Sequence, residues 1–277
     1  MQPRSETVRV AGGRIAANVW DQGSDLTLVL VHGARGQSEW WSSTIPHLLR
    51  FADVVTFDLS GHGHSDHRTT YDWRTWAQEA ATVAAGFAAA PVLVGHSLGG
   101  LVALSTAALF PGDIRGVITV DTMLRGPIRT HPGRDAGKAR PVFASIEEAA
   151  AAFRLSPPQP VLDKDYLDYL VHAVLREVDG GWTWRSDPNV RGLFADVDRD
   201  DLIHQARCPL GAVTAGQSAI SRQAQVEAIQ RDIAPDLVHI DIPEAHHHVM
   251  IDHAPELAHA LESLVDLMLQ GSGAIRA

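Results

Sequence analysis

Short runs of apolar residues recur along the chain, each with the length of a β-strand. The first, Leu26–Val31, reads LTLVLV and contains a single polar residue. Uninterrupted apolar runs of this length indicate strands that are buried on both faces, as in parallel sheets. Five further runs are similar: Asp53–Phe57, Pro91–Val94, Ile114–Val120, Leu210–Ala215 and Leu237–Ile242. Near the start of the chain, Thr7–Val10 and Arg14–Trp20 flank the pair Gly12-Gly13, which predicts a β-hairpin.

Helical spacing separates several of these runs. The apolar positions of residues 76–87 recur at intervals of four, three and four, which places them on one face of a helix. Residues 257–268 show similar spacing after Pro255, a residue suited to the first turn of a helix. Strands that alternate with helices predict an α/β fold, in which a mostly parallel sheet is covered by helices on both sides.

Residues 124–207 interrupt this alternation. They begin with a Gly- and Pro-rich stretch and continue with helical patterns at Ser145–Leu155 and Asp163–Val178. No change of composition indicates that they fold independently of the rest. We therefore expect residues 1–123 and 208–277 to form the core, and residues 124–207 to form a helical cap inserted after the sixth strand.

The charge and composition of this chain of 277 residues limit the kinds of partner that it is expected to bind. The formal net charge is −10, and no basic stripe of the kind that neutralises nucleic-acid phosphates is present. The first residues lack the apolar segment of a signal peptide, and Cys208, as the single cysteine, excludes an intrachain disulfide. We expect a cytoplasmic protein with a small-molecule substrate and no nucleic-acid or membrane partner. A homodimer is compatible with these features.

The stretch VLVGHSLGG, residues 92–100, carries the strongest chemical signal. An apolar strand leads into the pentapeptide Gly95–Gly99, and a helical pattern follows. A G-x-S-x-G turn between a strand and a helix is typical of a nucleophile elbow, where glycines allow close packing and a strained backbone raises the serine above the sheet. Ser97 is therefore the candidate nucleophile.

Two backbone amides are candidates for binding the oxyanion of a tetrahedral intermediate. Such a site takes one N–H from the residue after the nucleophile, here Leu98, and one from a loop after a neighbouring strand. The stretch LVHGARG, residues 30–36, continues directly from the apolar run Leu26–Val31. We assign the second N–H to Ala34.

Three consecutive histidines, His246, His247 and His248, lie between the last apolar run and the C-terminal helical pattern. A histidine on such a loop suits a general base delivered to Ser97. Metal binding is the competing interpretation, but adjacent residues in a loop rarely turn toward one ion, so we expect no metal here. These residues alone leave open which of the three is the base.

Together the motifs resemble the α/β-hydrolase family over nearly the whole chain. The resemblance rests on His32-Gly33 after a strand, the stretch FDLSGHGHSD, the elbow, the stretch DGGWTW and the histidine loop. It implies a mostly parallel eight-stranded sheet flanked by helices. It also implies a catalytic histidine five residues before an acid. Counting back from Asp252 selects His247, with His248 as the alternative.

The carboxylate that a Ser–His–acid enzyme needs is missing from its usual place. In the family it follows the strand that here is Leu210–Ala215, where this chain reads QSA after Gly216. Some relatives carry the acid after the preceding strand, and Asp121 directly follows Ile114–Val120. Asp121 is therefore the candidate acid. Its alternative role is that of a strand-end residue bound to loop amides.

Other functions compete with that of a serine hydrolase. The stretch HGHSDH matches a metal signature of the metallo-β-lactamase fold, whose ligands here would be His62, His64, Asp66 and His67. That fold would leave the Ser97 elbow unexplained. Within the α/β-hydrolase family, C–C bond hydrolases, cofactor-free dioxygenases and non-catalytic receptors share the scaffold.

We therefore predict a serine hydrolase that cleaves a carboxylic ester or lactone without a cofactor or metal. The expected triad is Ser97, His247 and Asp121, and the expected oxyanion hole is formed by Ala34 and Leu98. Trp41 and Met123 are the candidates for contact with a small, largely apolar substrate, although ordinary packing explains either residue equally well.

Overall fold

The computed structural model describes residues 1–87, 89–112, 114–125, 140–161, 163–190 and 198–271. All eight predicted strands are present among the ten strands of the described residues. The strands are β1 (Arg4–Val10), β2 (Gly13–Trp20), β3 (Thr27–Val31), β4 (Asp53–Phe57), β5 (Val92–His96), β6 (Gly116–Val120), β7 (Leu175–Val178), β8 (Gly181–Trp184), β9 (Leu210–Ala215) and β10 (Val238–Ile242). The helices are α1 (Ile45–Leu48), α2 (Trp73–Phe87), α3 (Leu98–Leu109), α4 (Ile146–Ala152), α5 (Lys164–Ala173), α6 (Arg199–Gln205), α7 (Gln223–Asp232), α8 (Val249–Asp252) and α9 (Ala254–Gly271), with a 3₁₀ helix at Ser38–Trp41.

Eight of the strands form one sheet in the order β1-β2-β4-β3-β5-β6-β9-β10. The pairs β1–β2 and β2–β4 are antiparallel, and every other neighbouring pair of this sheet is parallel. The expected mostly parallel eight-stranded sheet is thus confirmed. The carboxyl ends of parallel strands lie along one edge, so the loops after β3, β5, β6, β9 and β10 open on the same side.

Alternate residues of the central strand β3 face opposite layers of helices, which is why its sequence is apolar after Thr27. Val29 and Val31 belong to the buried cluster that includes α2 and α3. Leu28 and Leu30 belong to the buried cluster that includes α9. Burial of a side chain of this size contributes about 1.5–3 kcal/mol to folding. The side chains of β3 therefore stabilise the packing of both helical layers on the sheet.

The insertion between β6 and β9 is only partly helical. The helix expected at Ser145–Leu155 is α4. The helix expected over Asp163–Val178 is shorter than predicted, because α5 ends at Ala173 and residues 175–178 form β7, which pairs with β8. Gly180, with a φ of 85°, lies in the tight turn of this hairpin, a conformation that other residues rarely adopt.

The end of the insertion packs with the core. Leu202 and Ile203 of α6 lie in the same buried cluster as α2 and α3, and α6 contacts α3 directly. The expected cap, residues 124–207, therefore ends in a helix that packs as part of the core. Residues 126–139 and 191–197 of the insertion lie outside the described residues. Among the helices that are described, none has the length and apolar character needed to cross a bilayer.

Candidate active site

Ser97 lies in a sharp turn between β5 and α3, at the carboxyl edge of the sheet. Its φ of 54° and ψ of −115° form a strained conformation that is rare outside glycine. The turn requires glycine on both sides. A Cβ on Gly95 would lie 2.2 Å from the Gly99 carbonyl oxygen, and a Cβ on Gly99 would lie 2.3 Å from the Val31 carbonyl oxygen. The glycines thus let α3 approach the sheet, and its N-terminus favours negative charge beside Ser97.

The end of β6 fixes the elbow from the neighbouring strand. Ser97 N donates to Val120 O at 2.9 Å, and the Thr122 hydroxyl donates to Ser97 O at 3.1 Å. Asp121 lies between these two partners, and its own N–H donates to Val213 O of β9 at 2.8 Å. Main-chain bonding therefore fixes the residue that carries the candidate acid relative to the residue that carries the candidate nucleophile.

His247 Nδ1 lies 2.6 Å from Asp121 Oδ2. Both side chains are buried, and Asp121 has no exposed surface, so its carboxylate depends on protein donors. Because the carboxylate accepts, His247 carries its proton on Nδ1 and its lone pair on Nε2. Of the three consecutive histidines, His247 is the one that contacts Asp121, whereas the ring of His248 packs against Trp40 at a centroid distance of 5.0 Å.

Two hydroxyl groups occupy the place where the family's acid usually lies. Ser218, in the loop after β9, donates to Asp121 Oδ2 at 2.5 Å, and Ser221 donates to Asp121 Oδ1. The N–H of Gln217 donates to Ala245 O at 2.9 Å, which ties this loop to the histidine loop. In the sequence, Ser218 stood out only as an uncharged residue, and Ser221 was missed. The available signal was a pair of serines three residues apart at the usual position of the acid.

The predicted oxyanion loop lies directly against the elbow. A Cβ on Gly33 would lie 3.3 Å from Ser97 Cβ. Gly36 N donates to Gly33 O at 3.0 Å and closes the turn, which leaves the Ala34 N–H outside that bond. Leu98 is the first residue of α3, where a backbone N–H has no acceptor within the helix. The turn and the helix therefore leave both candidate amides available.

Three residues other than glycine have a positive φ in the described part of the chain: Arg35 at 62°, Ser97 at 54° and Asp121 at 42°. Each lies on a loop at the carboxyl edge of the sheet, after β3, β5 and β6 respectively. Strained backbone persists only where the surrounding structure imposes it, and it concentrates at functional sites. Its coincidence on these loops makes this edge of the sheet the candidate functional site.

A further histidine, His96, adjoins the histidine loop. The ring centroids of His96 and His247 are 4.7 Å apart, and those of His247 and His248 are 4.8 Å apart. Burial, and then the neighbouring histidines, lower the pKa of His96 well below its usual value. Burial, and then His247, lower the pKa of His248 to about 3. His247 and His248, although adjacent in one loop, thus lie side by side with His96, and the expectation of no metal there stays a prediction.

The HGHSDH stretch does not gather its polar side chains in the described structure. His62 is buried and packs against His32 at a ring-centroid distance of 4.8 Å. Asp66 pairs with Arg14 at 3.1 Å, and His67 Nε2 lies 3.0 Å from a backbone carbonyl oxygen. Each of these side chains thus contacts a different part of the protein, and in the described part of the chain they do not form a shared metal site. The metallo-β-lactamase alternative is therefore not supported.

The two candidate substrate residues differ in their surroundings. Trp41 has no exposed surface and packs in the buried cluster that includes α9, which favours its alternative role in ordinary packing. The reason is the 3₁₀ helix after the oxyanion loop, which turns this aromatic side chain inward. Met123, two residues after Asp121, keeps 37% of its surface exposed and is free to contact a ligand.

Comparison with known proteins agrees with the fold. The model of the alpha/beta hydrolase family matches residues 28–260. The chain belongs to the α/β-hydrolase family. It is 28% identical to 2-(acetamidomethylene)succinate hydrolase of Mesorhizobium japonicum, over 87% of this chain and 88% of that protein. It is also 28% identical to esterase Rv0045c of Mycobacterium tuberculosis, over 95% of this chain and 90% of that protein.

Solved structures show the same fold. The thioesterase domain from the curacin biosynthetic pathway superposes with a TM-score of 0.80 at 20% identity, covering 95% of this chain and 100% of that domain. At this level of identity the likeness concerns the fold alone. Family membership supports hydrolase activity for this α/β hydrolase, and the bond that it cleaves is a matter for proposal.

Proposed function

We propose that this α/β hydrolase is a serine hydrolase that cleaves a carboxylic ester or lactone of a small, largely apolar substrate through an acyl-enzyme. The proposal rests above all on the 2.6 Å contact between His247 Nδ1 and Asp121 Oδ2, on loops beside the Ser97 elbow. A buried aspartate that holds the imidazole in one tautomer allows the other ring nitrogen to accept the proton of a serine hydroxyl.

In the acylation step, Ser97 Oγ attacks the carbonyl carbon of the substrate while His247 Nε2 takes the hydroxyl proton. Asp121 holds the Nδ1 proton in place and stabilises the imidazolium by its charge. The N–H groups of Ala34 and Leu98 donate to the oxyanion that forms on the carbonyl oxygen. When the intermediate collapses, the alkoxide takes the proton from His247 and departs as an alcohol.

In the deacylation step, water attacks the acyl carbon and gives a proton to His247. Collapse of the second intermediate returns that proton to Ser97 Oγ and releases the carboxylic acid. With a lactone, the alcohol and the acid are two ends of one product. Neither step requires a cofactor.

The alternatives keep the fold and change the chemistry. One relative is an esterase and another is a 2-(acetamidomethylene)succinate hydrolase, which leaves the bond type open to test. A C–C bond hydrolase would use the same His247–Asp121 pair. A cofactor-free dioxygenase would use this pair as a base and consume oxygen, whereas a non-catalytic receptor would bind a ligand tightly without turnover.

A panel of p-nitrophenyl esters and lactones tests the proposal. We expect wild-type protein to hydrolyse members of the panel, and Ser97→Ala to lose several orders of magnitude in kcat because no acyl-enzyme can form. Ser105→Ala is the matched control. Its hydroxyl donates to Leu101 O within α3 at 2.7 Å, so its kcat should stay near that of wild type.

Mass spectrometry of protein quenched during turnover checks the covalent step. The acyl group should appear on the peptide that contains Ser97 and should be absent from Ser97→Ala. Wild-type turnover by Ser97→Ala would overturn the acyl-enzyme, and oxygen uptake during turnover would point to the dioxygenase.

A further inference from the structure

Three histidines, one at the end of a strand and two on a loop, lie close together at the carboxyl edge of the sheet. His96 ends β5, and His247 and His248 follow β10. One ring nitrogen of each lies within 4.8 Å of those of the other two, and all three side chains are buried. Imidazole is a preferred ligand of Zn²⁺, Cu²⁺ and Ni²⁺, so a cluster of this kind has the chemistry of a transition-metal site.

The hydrogen bonds around the cluster leave lone pairs available to a metal ion. His96 Nε2 lies 2.9 Å from His247 O, and since a carbonyl only accepts, Nε2 carries the proton and Nδ1 the lone pair. Gly33 lies beside this Nδ1, and a Cβ added to the glycine would lie 2.7 Å from it. The contact with Asp121 likewise leaves the lone pair of His247 on Nε2. Both ring nitrogens of His248 are buried, and neither has a hydrogen-bond partner within the described residues.

Asp121 lies where the outer partner of a metal-bound histidine is usually found. Histidine ligands commonly donate their second N–H to a carboxylate, which orients the ring and makes it more basic. His247 donates to Asp121 in this manner at 2.6 Å. Three histidines with a fourth position open form a known type of zinc site, in which ligand nitrogens are about 3.3 Å apart. Binding requires the three nitrogens, which now lie within 4.8 Å of one another, to approach to that distance.

We propose that His96, His247 and His248 form an inhibitory site for a transition-metal ion such as Zn²⁺. The ion binds through Nε2 of His247 and one ring nitrogen of each of the other two histidines. Binding occupies the lone pair that His247 needs to accept the Ser97 proton, so hydrolysis stops while the ion is bound. The inhibition rests on the proposed function, whereas the binding of the ion does not.

Titration with ZnCl₂ against a chromophoric chelator measures the site directly. We expect wild type and Ser97→Ala to bind one Zn²⁺ with the same affinity. His248→Gln should bind it at least about tenfold more weakly. Loss of a residue that only orients a metal ligand lowers metal affinity by about 10- to 100-fold, and loss of the ligand itself should lower it at least as much. His172→Gln is the matched control for surface histidines. His172 is exposed on α5, where its Nδ1 lies 2.7 Å from Asp168 O, so its loss should leave the affinity unchanged.

The visible absorption of bound Co²⁺ reports coordination independently of activity. Wild type and Ser97→Ala should show the intense bands of tetrahedral Co²⁺, and His248→Gln should lose them. His96→Gln is the second test variant and should show the same loss, and circular dichroism of each variant identifies the ones that fold. Equal affinity for Zn²⁺ in wild type, His248→Gln and His96→Gln would overturn the site, as would the absence of stoichiometric binding.

Inhibition is measured on the best ester of the panel. Zn²⁺ should inhibit wild type over the concentration range in which it binds. Relative to its own rate without the ion, His248→Gln should need at least about tenfold more Zn²⁺ for half inhibition. Because Zn²⁺ binding is measured without a substrate and also on Ser97→Ala, the metal site can be tested even if the protein has no esterase activity. Failure of the proposed function and failure of the site are thereby distinguished.

Discussion

The Ser218 hydroxyl donates a hydrogen bond of 2.5 Å to Oδ2 of Asp121. Ser218 follows β9 and Asp121 follows β6, and these strands are neighbours in the sheet. The strand that usually precedes the acid of the family thus supplies a hydroxyl donor to an acid on the adjacent strand. Ser221 binds the other oxygen, so two hydroxyls and the His247 imidazole surround a carboxylate with no exposed surface.

Removal of both hydroxyls should slow catalysis by allowing Asp121 to turn away from His247. A hydrogen bond to a charged group contributes about 1.5–3 kcal/mol. We therefore expect the double variant Ser218→Ala/Ser221→Ala to lower kcat by about tenfold to a hundredfold, with little change in KM and a lower Tm. Initial rates on the best ester and thermal denaturation measure these effects.

Ser221→Thr separates positioning of the acid from a general loss of stability. It keeps a hydroxyl at the same position, so it should recover most of the kcat that Ser221→Ala loses. A double alanine variant with a lower Tm and a wild-type kcat would show that the two hydroxyls serve the fold alone.

Asp121→Asn should lower kcat by about three to four orders of magnitude. The amide has no charge to stabilise the imidazolium, and it can turn an N–H donor toward the proton on His247 Nδ1. The kcat of Asp252→Asn, measured in parallel, is the matched control. Asp252 lies five residues after His247 and accepts from Gln159 Nε2 at 3.1 Å, so its neutralisation should leave kcat near that of wild type. Full activity in Asp121→Asn would mean that the enzyme works with a Ser–His dyad or another acid.

The sheet could be predicted because burial on both faces leaves a clear mark on a strand. The apolar run of β3 after Thr27 follows directly from helical layers on its two sides. The hairpin β7–β8 could not be separated from a helix in the same way. Leu175 and Val178 are three residues apart, which fits one face of a helix, and four residues are too few to distinguish the two periods.

The candidate site was predictable as far as its residues lie in local motifs. The strand–turn–helix context indicates Ser97 without reference to any distant residue. The contact of Ser221 with Asp121 joins residues a hundred positions apart, and it depends on the pairing of β6 with β9. No local sequence pattern indicates that β6 pairs with β9. The role of Trp41 stayed open between packing and substrate contact for a related reason, since an aromatic residue in a loop does not reveal which side it faces.

Gly33→Ala should lower kcat while leaving the protein folded. The added Cβ would lie 2.7 Å from His96 Nδ1 and 3.3 Å from Ser97 Cβ, so the loop that carries the Ala34 N–H must move. Loss of one oxyanion donor costs about 10²- to 10³-fold in kcat, and we expect a loss in this range. In the control variant Gly86→Ala, the added Cβ meets nothing within 4 Å on α2. This control should keep wild-type kcat and gain up to about 1 kcal/mol in stability. A loss of kcat in the control would contradict the explanation that Gly33→Ala acts by displacing the loop.

Acid should destabilise the protein through its buried histidines, and His62 allows a test away from the active site. Burial, and then the neighbouring His32, lower the pKa of His62 well below its usual value. An unfolded chain has the ordinary histidine pKa of about 6.5. Below that pH the unfolded state binds a proton that the folded state does not, so the free energy of unfolding falls as the pH falls. Each such histidine contributes a slope of up to about 1.4 kcal/mol per pH unit.

Thermal denaturation between about pH 8 and pH 5 measures this dependence on either side of the unfolded pKa. The Tm contribution of His62 should be constant in the upper part of this range and decrease below about pH 6.5. His62→Asn should have a lower Tm throughout, because the ring packs against Trp76 at a centroid distance of 5.8 Å. It should also lose less stability on acidification, since one proton fewer is taken up on unfolding. His172→Asn, at an exposed position, should follow the slope of wild type, and a wild-type slope in His62→Asn would contradict the argument.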